Sequence, residues 1–381
     1  MSTYKFNFPT PIHFGPGIRK ELAGFLKSNN IRRPLLVTDR GVAGLGFFTE
    51  IKTALSGSGL APAVFSEIWG NPVKSQVTAG VKSFKEHDAD SIVGIGGGAA
   101  LDVAKAIALM ATHSGDLFDY EDEKPGSKPI DGPIPFWVAL PTTSGTGSEV
   151  GRSSVVSDDT THVKKIIFSP KLLAKAVFAD PELTLDLPPA VTASTGMDAL
   201  THCVESFLAK GYHPICDGIA LEGFRLAALN LEKAVQKPKD IEARSAMMMS
   251  SMMGAIAFQK GLGLTHSCAH ALSTVADLHH GLANGIMIDH ALKFNIPAVG
   301  ERFTRLAKAA DLKDTSPEGF INWLKTIKKS VGIASHLSGA GVKKEQIPKL
   351  TEIAIADGCH GSNPRACTRE DFTKIFQEAM G

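Results

Sequence analysis

The chain has 381 residues, enough for two domains with substantial cores, and with 43% hydrophobic and 21% charged residues it has the composition of a folded globular protein. Forty Lys and Arg against 39 Asp and Glu leave a net charge of +1, so no strong field gathers nucleic acid or an anionic membrane surface, and neither is expected as a partner. Five irregularly spaced cysteines without a Cys-x-x-Cys pair argue against a disulfide framework and a zinc site of that kind, and fit a reducing cytoplasm.

In chain order, residues 1–17 alternate polar and apolar residues with no unbroken apolar core, unlike a signal peptide, and no later run approaches a membrane span. Short apolar, β-branched runs at 34–39 (PLLVTD), 91–96 (SIVGIG), 135–141 (PFWVALP) and 175–180 (KAVFAD) predict strands. The helical patterns between them predict a parallel sheet covered on both faces. After Asp180-Pro181 the strands give way to long stretches rich in Ala, Leu and Met. The boundary is placed at 184. Residues 1–184 are expected to form an α/β, Rossmann-like domain of the kind that binds nucleotides, and 185–381 an all-α domain. Within the latter, Ser194-Thr195 are expected to cap a helix running to about residue 209, and the methionine cluster of 244–258 is expected to fill core.

Two loops point to a nucleotide. Gly96, Gly97 and Gly98 follow a strand and open a helix at 99–110, where backbone N–H groups and the helix dipole favour a diphosphate, although a ligand-free strand-to-helix turn explains a glycine triplet equally well. The segment 141–150 (PTTSGTGSEV) follows another strand and gathers Thr142, Thr143, Ser144 and Thr146 around two glycines. Loops at the carboxyl ends of parallel strands are where open α/β sheets bind ligands. The order differs from the usual dinucleotide fingerprint, whose acidic residue follows the glycines, because Asp39 precedes them.

The second half points to a metal. Asp198 and His202 lie one turn apart on a predicted helix, a spacing that also arises by chance. His266 and His270 repeat it, and His279-His280 follow in an otherwise apolar region. Imidazoles with one carboxylate suit Fe²⁺ or Zn²⁺ better than Mg²⁺ or Ca²⁺, without deciding between the first two.

These segments together resemble the iron-containing (group III) alcohol dehydrogenase family. The resemblance spans nearly the whole chain: IHFGPG at 12–17, GIGGG at 94–98 with Asp102, PTTSGTGSEV, DPELT at 180–184, TGMDALTHCVE at 195–205, GLGLTHSCAH at 261–270, LHHGLAN at 278–284 and Asn363-Pro364-Arg365. It implies an NAD-dependent dehydrogenase, a homodimer, with cofactor and substrate in the cleft between its domains. The metal, Fe²⁺ with Zn²⁺ as the alternative, is implied on Asp198, His202, His266 and His280. His270 is implied near the nicotinamide, orienting substrate or relaying protons, while His279 and His290 receive no role. The glycines, Asp102, Thr142, Thr143 and Thr146 are implied for the cofactor, with Asn71 and Lys164, or its neighbour Lys165, nearby. Asp39 is implied on the adenosine ribose, favouring NAD over NADP, although a loop-capping aspartate reads the same way in sequence.

The chain departs from the family pattern at Ala99, where Ser is frequent, at Gln259-Lys260, where Asn-Ala is frequent, and at Ala271, where Pro is frequent. Lys260 is read either as a cation for an acid-tailed substrate or as a solvated lysine at a helix end. The resemblance is strongest to members acting on 4-hydroxybutyrate and succinate semialdehyde. The rival readings are a zinc-dependent polyol dehydrogenase, a dehydroquinate synthase-type lyase and a catalytically silent nucleotide binder.

Overall fold

The computed structural model describes residues 8, 10–122 and 124–381. Residues 1–7, part of the N-terminal stretch read above against a signal peptide, lie outside them. No helix among the described residues is long and apolar enough to cross a membrane. Two compact units form, one of residues 10–143 with Ser148–Thr184, the other holding Ser144–Gly147 and Leu185–Gly381.

The first unit is built on a six-stranded sheet, β1 (Ile12–Phe14), β2 (Pro34–Val37), β3 (Ala63–Phe65), β4 (Ser91–Gly96), β5 (Phe136–Pro141) and β8 (Val177–Ala179), in the order β1-β8-β5-β4-β2-β3. Every pairing in it is parallel. All four runs expected as strands are in this sheet. The three-residue strands β1 and β3 were not anticipated; β8, equally short, was legible through the longer run at 175–180. Residues 153–168 hold a further unpredicted element, an antiparallel hairpin of β6 (Ser153–Ser157) and β7 (Lys164–Phe168).

Helices α1 (Leu22–Ser28), α2 (Arg40–Ala43), α3 (Gly46–Gly57), α4 (Lys74–Glu86) and α5 (Gly98–Thr112) complete this unit. Strand alternation divides the sheet's side chains between two faces. Leu36, Val93, Ile95, Val138, Leu140 and Phe178 pack with Leu22 and Leu26 of α1 and with Phe48, Ile51 and Leu55 of α3. Gly94 faces the other way, toward α5, where an added Cβ would come within 3.1 Å of both Ala104 and Leu101.

The second unit is helical: α6 (Pro189–Leu208), α7 (Pro214–Gln236), α8 (Ile241–Ala257), α9 (Leu264–Ala276), α10 (His280–Ala309), α11 (Pro317–Ser330), α12 (Ile347–Ala356) and α13 (Arg369–Met380). The expected cap at Ser194-Thr195 is not there. Helix α6 starts at Pro189, whose fixed φ and missing N–H suit the first helical position. Inside the helix, the Ser194 and Thr195 hydroxyls donate to the carbonyls of Ala190 and Val191, each at 2.9 Å. Met247, Met248 and Met252 of α8 are buried, as expected of core. Helix α10 is broken at Val299 (φ −142°, ψ 34°), two residues beyond Pro297.

Candidate metal centre and nucleotide loops

Helix α6 carries Asp198 and His202 on one buried face, α9 carries His266 in its first turn, and α10 opens with His280. The Asp198 Oδ1 atom lies 3.9 Å from His202 Nε2, 3.8 Å from His266 Nε2 and 3.5 Å from His280 Nε2. Four ligands bonded at about 2.1 Å around a tetrahedral ion stand roughly 3.4 Å apart; Asp198, His202 and His266 offer ligand atoms that all lie within 4.8 Å of one another, and His280 adjoins them through its approach to Asp198 Oδ1. The His266 Nε2 atom is buried and has no hydrogen-bond partner among the described residues, a costly state unless something else engages its lone pair. The donor set therefore fits a borderline divalent cation such as Fe²⁺ or Zn²⁺.

Two of the other ring nitrogens, those of His202 and His266, are held by the helical unit itself. His202 Nδ1 lies 3.3 Å from the carbonyl of Gly145, and burial, partly offset by Asp198, pushes its pKa down to about 4, so the ring is neutral with a lone pair at Nε2. Gly145 is there for steric reasons: a Cβ would sit 2.8 Å from Thr195 Cβ and 2.9 Å from the Thr195 carbonyl. His266 Nδ1 lies 2.7 Å from Glu205 Oε2. Glu205 also accepts from the backbone N–H groups of Gly263 (3.0 Å), Thr265 (2.7 Å) and His266 (3.3 Å), capping the start of α9. Burial works against its charge, but the bonds from His266 and Thr265 win and hold its pKa below the ordinary glutamate value. Burial likewise opposes charge on His266, and Glu205 outweighs it and raises that pKa. Carboxylate and carbonyl acceptors behind metal-binding histidines fix tautomer and ring direction.

Sequence reasoning missed Glu205 and Asn284, although both lie in the quoted motifs. Asn284 is one turn beyond His280 on the same face of α10, and its Nδ2 donates to Asp198 Oδ1 at 2.8 Å. The usable signal for both was helical spacing, Glu205 lying one turn past the Asp198–His202 pair and Asn284 one turn past His280.

His270 adjoins this cluster without joining it. Its ring stacks on His280, with centroids 5.1 Å apart and planes at 22°, and its Nδ1 lies 2.8 Å from Asp357 Oδ2. His290 Nε2 is 3.1 Å from the Ser335 carbonyl, away from the ligands, and His279 is the exposed residue preceding α10.

Lys260 differs from both expectations. Its side chain is only 2% exposed, and Nζ lies 2.5 Å from Asp217 Oδ1 and 3.2 Å from the Phe207 carbonyl. Asp217 binds Arg302 as well, at 2.7 Å. Lys260 is therefore not a solvated lysine at a helix end, and its ammonium is engaged by Asp217 inside the helical unit.

In the α/β unit, β4 and β5 pair in register with Gly96 opposite Pro141, so the two glycine and hydroxyl loops leave neighbouring strand ends. The Thr142 N–H donates to the Gly96 carbonyl at 3.0 Å, and a Cβ on Gly97 would lie 3.2 Å from the Thr143 side chain. Gly96 adopts φ 156°, and a Cβ there would fall 2.6 Å from Ala100 Cβ and 3.3 Å from Asp39 Oδ2. Gly98 is the first residue of α5. Asp39 therefore sits beside the glycines. Its Oδ1 accepts from the Val42 N–H at 2.9 Å, which makes it a helix cap too, so the two readings of Asp39 are compatible.

Other expected cofactor residues fare unevenly. Asp102 uses both carboxylate oxygens internally, Oδ1 accepting from Ser148 Oγ (2.6 Å) and Lys105 Nζ (3.3 Å) and Oδ2 from the Val155 N–H (3.1 Å). It braces the hairpin against α5. Asn71 precedes Pro72, whose carbonyl accepts from Ser157, the β6 residue paired with Lys164, so the chain brings Asn71 and Lys164 to one end of the hairpin. Lys165 is tied to Glu121 at 2.8 Å. Thr146 lies in the short segment that clusters with the helical unit.

A parallel α/β unit with paired glycine and hydroxyl loops and a helical unit holding three imidazoles around one carboxylate define a metal-dependent nucleotide oxidoreductase. The family model for iron-containing alcohol dehydrogenases matches residues 9–181, and that for the C-terminal part of the Fe-containing alcohol dehydrogenase family matches residues 192–380. The chain belongs to the iron-containing alcohol dehydrogenase family. It is 38% identical to 4-hydroxybutyrate dehydrogenase of Cupriavidus necator over 97% of this chain and 98% of that one. It is 36% identical to NAD-dependent methanol dehydrogenase of Bacillus methanolicus over 98% and 99%. The crystal structure of a 1,3-propanediol oxidoreductase, 33% identical, superposes with a TM-score of 0.95 over the full length of both chains. The alcohol dehydrogenase reading thus prevails over the lyase.

Proposed function

We propose that this chain is an NAD-dependent, Fe²⁺-loaded dehydrogenase that interconverts a small primary alcohol and its aldehyde, with 4-hydroxybutyrate and succinate semialdehyde as the leading pair. The observation that carries the reading is the convergence of three imidazole Nε2 atoms on Asp198 Oδ1. The similarity to a 4-hydroxybutyrate dehydrogenase supports the substrate class. When bound, the metal supplies Lewis acidity at the substrate oxygen and NAD(H) accepts or gives the hydride.

The chain's own groups do the rest. Asp198, His202, His266 and His280 hold the ion, within a catalytic domain of residues 185–381. The Gly145 carbonyl and Glu205 hold two of those rings in their ligating tautomer. His270 takes the hydroxyl proton in oxidation and returns it in reduction. In the domain of residues 1–184, Gly96, Gly97, Gly98, Thr142 and Thr143 offer backbone and hydroxyl donors to the diphosphate, Asn71 and Lys164 adjoin it, and Asp39 meets the adenosine ribose. The five cysteines are free thiols, which supports a reducing cytoplasm, and the family resemblance supports a homodimer; sedimentation of the purified protein checks the latter.

The reading is tested by following NADH consumption with succinate semialdehyde after loading the protein with Fe²⁺ or Zn²⁺. Turnover with Fe²⁺ is expected; no turnover with any aldehyde and either metal overturns it. Two variants refine it. In Asp39→Asn the helix cap survives but the charge facing a 2′-phosphate is gone. The ratio of kcat/KM for NADPH over NADH is expected to rise about tenfold or more, equivalent to roughly 1.4 kcal/mol of relieved repulsion. Lys260→Ala is expected to leave the preference for succinate semialdehyde over butyraldehyde unchanged while lowering thermal stability by about 1–3 kcal/mol, because Asp217 loses one of its two cations. Equal rates on the two aldehydes in the variant alone would return Lys260 to the substrate.

A further inference from the structure

We infer that Asp357 is the positioning residue for His270, holding the imidazole in the tautomer with its proton on Nδ1 and its lone pair on Nε2. The inference rests on the reading that His270 handles the substrate proton, and it assigns the part of the chain that makes it able to do so.

Ser267 and His270 are three residues apart on α9 and face the same way. Against that face lies the segment after α12, beginning with Asp357. The two oxygens of Asp357 divide their work. Oδ1 accepts from Ser267 Oγ at 2.7 Å and from the Cys359 N–H at 2.9 Å. Oδ2 has His270 Nδ1 at 2.8 Å. Ser267 Oγ accepts in turn from the His360 N–H at 3.0 Å, so its own proton is committed to Asp357.

This is a closed set of donors around one carboxylate. Burial works against the charge of Asp357, but the bonds from His270, Ser267 and Cys359 together hold its pKa well below the ordinary aspartate range. An ionised carboxylate only accepts, so the proton of the shared bond belongs to Nδ1, which in a neutral ring leaves Nε2 as the acceptor. Stacking on His280 further restricts rotation of the ring. The alcohol's hydroxyl proton then has one imidazole atom to go to, Nε2, and leaves from there to water; reduction runs the same transfer backward.

A merely structural role, tying the segment after α12 to α9, makes different predictions. The first test is the ¹⁵N shift pattern of His270 in the diamagnetic Zn²⁺-loaded enzyme. A protonated Nδ1 and an unprotonated Nε2 are expected in the wild type, and a proton on Nε2 overturns the inference whatever the variants do. The second is a double-mutant cycle. Asp357→Ala is expected to lower kcat about tenfold or more with KM nearly unchanged, and to cost nothing further in a His270→Gln background. Equal losses in both backgrounds would show that Asp357 acts without His270, and the inference falls. Failure of the dehydrogenase reading is distinguishable, because it would appear as an inactive wild type while the ¹⁵N measurement still reports on the pair.

Discussion

A fall in kcat/KM on the order of a thousandfold or more is the expected result of Asp198→Ala, matched by loss of the bound metal during gel filtration. The Oδ1 atom of Asp198 is the point on which His202, His266 and His280 converge, and it is the only anion among the four. Removing it leaves three imidazoles without a carboxylate among them and takes from Asn284 Nδ2, now 2.8 Å from that oxygen, its acceptor. Metal content measured by elemental analysis checks the result directly. Asp198→Ala protein that keeps a stoichiometric ion and near-normal activity would remove this cluster as the metal centre.

Glu205→Ala is expected to damage both folding and metal retention. It leaves three backbone N–H groups at the start of α9 and the Nδ1 of His266 without their acceptor, all in a buried setting. Breaking such a charged network by deleting one member costs about 3–5 kcal/mol. Removing the partner behind a metal-bound histidine weakens metal binding by roughly 10–100-fold. Glu205→Gln keeps an oxygen for the helix start, so it should lose less stability and a comparable share of metal affinity, measured by competition with a chromogenic chelator. The pH dependence has a definite sign. The carboxyl of Glu205 is held below its ordinary pKa, so its contribution is complete above the unfolded-state value and is lost as pH falls through the folded one. The stability gap between wild type and Glu205→Gln should therefore narrow in acid. A gap that widened there would mean that Glu205 is protonated in the folded protein.

Much of this was legible in the sequence because it depends on local pattern. Apolar runs marked the four interior segments of the parallel sheet, and motif resemblance supplied the four residues that meet around Asp198 Oδ1. What was illegible depended on distance along the chain. Asp357 is 87 residues from His270, and no spacing rule links them. Lys260 looked like a spare cation because Asp217, 43 residues away, was not recognisable as its partner. Asp102 was read with the cofactor from its motif, which does not show that its oxygens engage Ser148, Lys105 and the hairpin residue Val155. The misplaced start of α6 had another cause: hydroxyl residues read as a cap are equally content inside a helix when they bond to a carbonyl one turn back, and Pro189 was the better signal.

The four residues Ser144–Gly147 have a practical corollary for anyone who wishes to cut the gene in two. They come long before the helical half in the chain but cluster with it, and the Gly145 carbonyl is the acceptor behind His202. A fragment beginning at residue 185 would contain all four candidate metal ligands and still lack the carbonyl that lies behind His202. The helical half is thus not a portable module, and a swap of C-terminal halves between relatives would have to carry this tetrapeptide along with it.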